Sequence, residues 1–532
     1  MFEFQPSAAT ERTHLRKAVE ALHAISRYDH SLSVPELGSL FHEDTSPLAP
    51  VGDIPQRHRG KSSNCAERGD GEAITAVGAL QQGIADVYDV PFAWPSTNGT
   101  TPLNVMALIT VAPPSSRILV QRDCHVSVLA ALIQADLTPI YLCPDYDPAL
   151  GLLLGPTAAQ VQTCLDGAPD VAAALLTYPN YFGIASDIEA CAGVLAERNI
   201  PLVIDAAHGA HLRFHPALPL PAERTSAAII THSTHKTLSA LSQGSVALLN
   251  DLRYKDRWYE TINQLGYVST SFSYPILLSI GVAVWQFQVQ GAALLDVAIA
   301  ASQETRAAIN EIAGLRCLAF DQERPGFHAL DPLRLTVDVS GLGATGYDVA
   351  RCLREQFHIY PELATRQHLL FLVGAGDDHQ ACFRIVAALQ TLAAQLWDTG
   401  PVSPQPTEDG QTGGPLSKHL TAEHGRHAEA SRWQRHHDAA LLAPPAVPRQ
   451  LLRPREAFYL YHQQRRRVPL AAAIGYPSAE TIAAYPPGSA VIVAGEEVTP
   501  EVVAFLQAVR RAGGTLKGAS DPTCTSIQII TL

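Results

Sequence analysis

Short apolar runs alternate with helical stretches through the middle of this 532-residue chain. Runs of four to six mostly apolar residues are predicted as strands at 117–120, 139–142, 172–177, 202–205, 227–231 and 245–249. Apolar residues at helical spacing lie between them, as at 186–198. Buried strands separated by helices are typical of βαβ units, so the pattern predicts an α/β fold with a mainly parallel sheet.

Outside this region the pattern changes several times. Helical spacing recurs at 12–25, 73–90 and 275–313, and a second mixture of strands and helices covers 333–398. Near the end of the chain, Thr499 and Pro500 have the residue types of a helix N-cap and first helical position. These changes predict an N-terminal segment (1–70), a large domain (71–300), a small α/β domain (301–398), a linker (399–449) and a C-terminal domain (450–532).

Composition and charge narrow the class of protein. Lys and Arg total 38 against 51 Asp and Glu, a net formal charge of −13, which argues against nucleic acid as a partner and suits a neutral or cationic small molecule. No run of about 18 apolar residues occurs, so no membrane span is expected. The N-terminus lacks the features of a secretory signal and the nine cysteines form no CxxC pair, so we expect reduced thiols in a cytoplasmic protein.

The polar stretch 399–449 is rich in Pro, Gly and His, and two interpretations apply to it. A solvated linker is favoured by the composition. A metal site is the alternative, but the spacing of the histidines fits no standard ligand pattern, so no metal is predicted. These histidines are His419, His424, His427, His436 and His437.

Lys236 is the main candidate for covalent chemistry. It is one of six lysines and follows the apolar run 227–231 within the segment THSTHKTLSALSQGS, whereas the other five lie in polar or amphipathic surroundings. A lysine at a strand end can form a Schiff base with an aldehyde cofactor, although a solvated surface charge is the simpler alternative.

Asp205 ends the predicted strand of LVIDAAHGAH, 31 residues before Lys236. The carboxyl end of a parallel strand faces the ligand crevice of an α/β sheet. Pyridoxal phosphate needs a lysine for its imine and a carboxylate to keep its pyridine nitrogen protonated. A helix N-cap is the alternative role for Asp205.

Three further segments carry groups suited to the same cofactor. STNGTT (96–101) precedes an apolar helix and offers hydroxyls and amides to a phosphate, or forms an ordinary turn and cap. His125 in RDCHVS could stack on the cofactor ring and handle a proton, or be structural. TYPNYFG (177–183) follows a strand and could bring polar groups to the cofactor's phenolic oxygen.

Together these segments resemble the Orn/Lys/Arg decarboxylase family, which consists of pyridoxal-phosphate enzymes of fold type I, the aspartate-aminotransferase fold. The resemblance rests on TNGTT, RDCHVS, TYPNYFG, DAAHGAH and STHKTLSALSQGS in that order, and on PREAF and AAYPPGSAVIVAGEEVT near the C-terminus. Because the long N-terminal response-regulator-like domain is missing, the chain is similar to the shorter branch of the family.

The resemblance implies a role for each matching residue. Lys236 would hold the cofactor as a Schiff base, Asp205 would pair with the pyridinium nitrogen, and His125 would stack on the ring near His208. The phosphate loop and its surroundings would comprise Asn98, Gly99, Thr100, Thr101, Ser233 and His235. The family builds its sites at a dimer interface, so a homodimer is implied, with 242–245 reaching the neighbouring subunit's site.

Departures from the family pattern lie outside this cofactor set. Pro102 interrupts the usual pattern after the phosphate loop, and Ala206 replaces the acidic residue that usually follows the cofactor aspartate. Gly475-Tyr476 stands where a Gly-Arg pair is usual. The nearest match to the family's PGH-like motif is at 54–60, and Ala490 and Ala494 replace two prolines. The identity of the substrate is therefore left open.

The leading hypothesis is α-decarboxylation of arginine, lysine or ornithine to an amine and CO₂, with His125 or Lys236 returning a proton to Cα. Three glutamates are considered as ligands for the distal cation of the substrate, with an exposed charge or a helix cap as the simpler alternative role. They are Glu456, Glu496 and Glu497. Two other hypotheses remain. One is a different pyridoxal-phosphate reaction, such as transamination, elimination or an oxidative variant, and the other is a catalytically silent partner protein.

Overall fold

A computed structural model describes residues 76–265, 273–399, 444–485, 489–511 and 514–531. Four predicted features lie outside these residues. They are the predicted helix at 12–25, the rest of the N-terminal segment, the histidine-rich stretch and residues 486–488 of the YPPG motif. The eight cysteines within the described ranges are present as thiols, without a disulfide between them.

Twelve helices occur in the described ranges: α1 (Ala76–Tyr88), α2 (Thr100–Val111), α3 (Val126–Gln134), α4 (Ala158–Gly167), α5 (Ile188–Glu197), α6 (Thr234–Thr237), α7 (Lys255–Leu265), α8 (Tyr274–Asn310), α9 (Gly346–Phe357), α10 (His379–Thr399), α11 (Pro454–Gln464) and α12 (Pro500–Arg511).

Twenty strands occur in the same ranges. They are β1 (Phe92–Ser96), β2 (Arg117–Gln121), β3 (Thr138–Leu142), β4 (Tyr146–Asp147), β5 (Leu152–Leu153), β6 (Val171–Thr177), β7 (Ile184–Ala185), β8 (Leu202–Asp205), β9 (Ile229–His232), β10 (Ser245–Leu249), β11 (Arg316–Cys317), β12 (Ala329–Leu330), β13 (Arg334–Asp338), β14 (Leu363–Ala364), β15 (His368–Leu372), β16 (Arg465–Pro469), β17 (Ile482–Tyr485), β18 (Ala490–Ile492), β19 (Thr515–Lys517) and β20 (Ser526–Ile530).

The chain divides into two units that are each discontinuous in sequence. Among the described residues, the first unit comprises 76–119, 161–178, 188–265 and 273–294. The second comprises 120–160, 179–187, 295–399, 444–485, 489–511 and 514–531.

The first unit is built on a sheet whose order runs β1-β10-β9-β8-β6-β2. The pairs β6–β8 and β8–β9 are parallel, whereas β9–β10 and β10–β1 are antiparallel. Every residue of β1, β8, β9 and β10 is buried, as expected for strands covered on both faces. All six apolar runs predicted as strands form strands, so the predicted α/β class is confirmed.

The register of this sheet brings several loops to one edge. Thr177 pairs with Asp205, and Asp205 pairs with Thr231, so the parallel strands β6, β8 and β9 end together. The antiparallel strand β10 begins at Ser245 opposite Ser96, the last residue of β1. The segments after β1, β8 and β9 therefore lie at one edge of the sheet, where α/β proteins bind their ligands.

The second unit contains smaller antiparallel sheets. Its four-stranded sheet has the order β11-β13-β15-β14, and near the C-terminus β16 pairs with β20 while β17 lies between β18 and β19. Helix α12 begins at Pro500 as predicted, and the Thr499 hydroxyl accepts a hydrogen bond from Val502 N at 3.3 Å. This N-cap and the apolar cluster around Val502 and Leu506 fix α12 on the C-terminal strands.

Helix α8 (Tyr274–Asn310) matches the long helix predicted at 275–313. It is long and apolar enough to cross a membrane, although no uninterrupted apolar run marks it in the sequence. Half of its most apolar window is buried within the folded chain. A mostly apolar helix that packs in the core of a soluble protein has the same composition.

Candidate active site

Asp205 is the most constrained side chain at this edge of the sheet. It is the last residue of β8 and only 3% exposed. Its Oδ2 accepts a hydrogen bond from Asn104 Nδ2 at 2.8 Å, and Asn104 Oδ1 accepts one from the Thr231 hydroxyl at 2.7 Å. Its Oδ1 accepts a hydrogen bond from Ala207 N at 3.1 Å. Buried polar groups keep one orientation when they are held in such a network.

Lys236 lies in the short helix α6, directly after β9, and its side chain is exposed. Its Nζ is 3.3 Å from Nε2 of the buried His208. An accessible amine beside an imidazole has both properties that a covalent nucleophile needs, which are reach to a carbonyl and a neighbour that exchanges its proton.

The hydroxyl loop before α2 meets the segment after β9. Thr100 Oγ1 and Ser233 Oγ are 2.6 Å apart, and both side chains are buried. Gly99 has φ +77°, its N–H donates to Gln243 O at 2.9 Å, and no atom lies within 4 Å of where a Cβ would stand. The first N–H groups of a helix lack acceptors within the helix, so this open cradle suits an anion.

The other residues predicted for the phosphate loop are placed differently. Asn98 and Thr101 are exposed, and the Asn98 N–H donates to Ser96 Oγ at 3.3 Å. His235 Nδ1 is 2.7 Å from Gly244 O, so this ring nitrogen helps to hold the backbone after α6.

His125 belongs to the second unit, as the N-cap of α3. Its Nδ1 accepts a hydrogen bond from Ser127 N at 3.2 Å and is 2.8 Å from Ser127 Oγ. His125 therefore has a structural role, because its Nδ1 caps the start of α3. The ring itself is exposed.

Two polar side chains of TYPNYFG have partners within the fold. Tyr178 is buried and its hydroxyl donates to Leu220 O at 2.8 Å. Asn180 Oδ1 accepts hydrogen bonds from Phe182 N and Ile184 N, each at 3.0 Å. These hydrogen bonds pair the polar atoms of Tyr178 and Asn180, as buried polar atoms require.

Two of the three glutamates considered for the substrate's cation have partners within the fold. Glu456 Oε2 accepts from Arg453 N at 3.0 Å, which satisfies a backbone N–H at the start of α11. Glu496 is buried and paired with Arg122. Glu497 is partly buried.

Sequence reasoning missed Asn104 and a buried cluster behind Asp205. Asn104 lies four residues after Thr100 on α2, a spacing that places both on one helix face and could have drawn attention to it. The fully buried His232 has Nδ1 2.9 Å from Ala206 O, and its ring stacks on Tyr88 with centroids 5.4 Å apart. Glu223 lies 3.6 Å from His232 Nε2. Burial raises the pKa of the Tyr88 phenol.

The first unit therefore offers an amine, a buried carboxylate and a hydroxyl cradle at one sheet edge. These are the groups that pyridoxal phosphate needs for its aldehyde, ring nitrogen and phosphate. In the part of the chain that the structure describes, the buried hydroxyls of Thr234 and Thr237, which flank Lys236, have no hydrogen-bond partner. A bound polar group would complete this network, so the residues present fit the cofactor.

Comparisons with known proteins cover most of the chain. The family profiles described as "Orn/Lys/Arg decarboxylase, major domain" and "Orn/Lys/Arg decarboxylase, C-terminal domain" match residues 72–381 and 437–521. An arginine decarboxylase of Halalkalibacterium halodurans is 30% identical over 85% of this chain and 84% of its own length. A lysine decarboxylase of Hafnia alvei is 25% identical over 92% of this chain and 69% of its own length.

Solved structures give the same fold. Lysine decarboxylase A from Pseudomonas aeruginosa superposes with a TM-score of 0.71 and 19% identity, covering 97% of this chain and 80% of that one. A lysine decarboxylase of Francisella novicida has a TM-score of 0.67 and 23% identity, covering 85% of this chain and 71% of that one.

Proposed function

Because this chain belongs to the Orn/Lys/Arg decarboxylase family, we propose that it removes the α-carboxylate of arginine in a site built on Lys236 and Asp205. It is a pyridoxal-phosphate-dependent decarboxylase of a basic amino acid, with the fold type I architecture. Arginine is the specific choice because two relatives named arginine decarboxylase are 30% and 29% identical over 85% and 84% of the chain.

One observation carries the assignment of the site. The amine of Lys236, the carboxylate of Asp205 and the paired hydroxyls of Thr100 and Ser233 follow strands that end at one sheet edge. Pyridoxal phosphate, when bound, supplies the electron sink for the charge that departing CO₂ leaves at Cα. Lys236 would bind the aldehyde carbon of the cofactor covalently. Asp205 would pair with the ring nitrogen, and the hydroxyls of Thr100 and Ser233 would bind the phosphate.

Asn104 keeps Asp205 in one orientation, because its amide donates to the carboxylate while its carbonyl oxygen accepts from Thr231. His208 Nε2 can take a proton from the Lys236 ammonium, which frees the amine to react. His125 is proposed to lie on the ring face and, with Lys236, to return the proton to Cα. Asn98, Gly99, Thr101 and His235 complete the proposed cofactor set.

A homodimer in the cytoplasm is part of the proposal. The family resemblance supports the dimer, because 242–245 carries the motif that reaches a neighbouring subunit's site. The free cysteines within the described residues suit a reducing compartment.

The first experiment is an absorption spectrum of the purified protein, followed by CO₂ release from arginine, lysine and ornithine given separately. We expect a band near the visible edge that borohydride abolishes, and CO₂ from arginine faster than from the others. CO₂ from lysine or ornithine alone would overturn the choice of substrate. A band without CO₂ would indicate a different pyridoxal-phosphate reaction. The absence of a band after cofactor is added would overturn both the decarboxylase proposal and that alternative.

Replacing Ser233 by alanine is expected to weaken cofactor binding. The variant removes one hydroxyl of the Thr100–Ser233 pair, and a hydrogen bond to a charged group is worth about 1.5–3 kcal/mol. The dissociation constant of pyridoxal phosphate should rise at least about tenfold in an equilibrium titration.

Thr110→Val provides the matched control for that titration. Thr110 lies on the same helix as Thr100, and its hydroxyl is 3.4 Å from that of Thr261 in another buried pair. The control should bind cofactor as wild type does. Equal losses in the two variants would mean that any buried hydroxyl near α2 matters, not the cradle.

A further inference from the structure

A buried ion pair joins the end of β2 to the C-terminal region within the second unit. The two terminal nitrogens of the Arg122 guanidinium, Nη1 and Nη2, donate to the two oxygens of the Glu496 carboxylate, with Nη2–Oε2 at 2.8 Å. The Glu496 side chain is 0% exposed and that of Arg122 is 11% exposed. Val493 N donates to Glu496 Oε2 at 2.7 Å, and the guanidinium lies 4.6 Å from the centre of the Tyr141 ring.

The Glu496 carboxylate is out of reach of water, and the Arg122 side chain is nearly so. Burial raises the pKa of Glu496, and the Arg122 guanidinium opposes that rise. Removing one partner of a buried pair leaves an uncompensated charge, so such pairs fix the position of the segments that carry them. Arg122 is three residues before His125 in the chain.

The C-terminal region also holds the far end of the helix that His125 caps. Arg455 Nη1 donates to the carbonyl oxygens of Ile133 and Gln134, at 3.4 and 3.2 Å. Arg453 Nη1 is 3.5 Å from Asp136 Oδ1, just beyond the end of α3. Cations at a helix C-terminus satisfy its last carbonyls and its dipole.

One region of the chain thus contacts the C-terminal end of the nine-residue helix α3 and the segment just before its N-cap, His125. We infer that Glu496, Arg122 and Arg455 are positioning residues that hold His125 in its working orientation. The inference rests on the proposed role of His125 at the cofactor. It gives the C-terminal region a part in catalysis through His125, without contact between Glu496 and the substrate.

Two variants test the inference in the full-length enzyme. Glu496→Gln keeps the shape of the side chain but breaks the ion pair, and Arg455→Gln removes the hydrogen bonds to the end of α3. We expect kcat for CO₂ release to fall by about 10- to 100-fold in Glu496→Gln, because small misplacements of a catalytic group have effects of this size. KM should change less than about threefold, since the variants touch no substrate-binding group.

A readout independent of activity accompanies the kinetics. Hydrogen–deuterium exchange of peptides covering 121–135 should rise in both variants, with and without cofactor. The induced circular dichroism of the bound cofactor should change as well, because it reports how the ring is held. Asp170→Asn is the control, since it breaks the exposed Arg117–Asp170 pair at the opposite end of the same strand, and it should leave all three readouts unchanged.

The outcomes separate this inference from the proposed function. Increased exchange at 121–135 with unchanged kcat and circular dichroism in both variants would overturn the positioning role and leave a structural one. If Glu496→Gln does not fold, Arg455→Gln decides, because its partly buried side chain is not part of a buried ion pair. Failure of the proposed function would be seen in the wild-type protein, as no CO₂ and no cofactor band, before any variant is made.

Discussion

Replacing Lys236 by alanine is expected to reduce CO₂ release by about 10⁴-fold or more, because the groups of a covalent site act as a unit and losing the nucleophile removes most of their effect. The cofactor band that borohydride abolishes should disappear from the spectrum of the variant. Folding should be intact, since the Lys236 side chain is exposed and its contact is with His208 Nε2 at 3.3 Å. The measurement is CO₂ release together with the absorption spectrum and a thermal melt.

Lys255→Ala is the matched control for this variant. Lys255 begins α7 in the same unit, and its Nζ lies 4.8 Å from the centre of the Phe92 ring. It should keep both the band and the activity. If Lys236→Ala released CO₂ at a rate within tenfold of wild type, the assignment of the nucleophile would be wrong.

Asp205→Asn should lower kcat by about 10²–10³-fold, the range found when one preorganised electrostatic contact to a reacting group is lost. The amide keeps the size of the side chain and can still accept from Asn104, but it cannot hold a proton on a ring nitrogen. The loss should be accompanied by a shift in the spectrum of the bound cofactor.

Thermal melts with and without cofactor make this prediction specific. Without cofactor, Asp205→Asn should melt below the wild-type temperature, because the single amide oxygen cannot accept from both Asn104 Nδ2 and Ala207 N. With cofactor, the gain in melting temperature should be smaller than for wild type. Asp331→Asn is the contrast, since Asp331 is buried beside Arg334 at 3.4 Å in the second unit. It should lower both melting temperatures and keep the wild-type gain in melting temperature with cofactor. A variant Asp205→Asn that behaves like Asp331→Asn would show a purely structural carboxylate.

The sequence predicted the parts of this molecule that local patterns encode. The strands of the first sheet could be predicted because buried parallel strands are short, apolar and separated by helices. Asp205 and Lys236 could be singled out because each follows such a strand, and strand ends of one direction meet at one edge.

The contacts that the sequence did not predict depend on pairing between distant segments. Asn104 is 101 residues from Asp205, and nothing near it in the chain marks its partner. Glu496 resembled an exposed charge because it lies among other acidic and small residues, whereas its partner Arg122 is 374 residues away. The partners of Asn180 in the turn after β6, Phe182 N and Ile184 N, depend on the path of the backbone, which the sequence pattern does not give.

The long separation between Arg122 and Glu496 has a consequence for how the protein is made. A ribosome adds about 5–20 residues per second, so roughly 20–75 s pass between the synthesis of Arg122 and that of its partner 374 residues later. During that interval the segment around His125 has emerged without the carboxylate that anchors it. Closing so long a loop is also slow in refolding, because contacts distant in sequence form late. The last tenth of the chain therefore completes a segment that was synthesised in its first quarter.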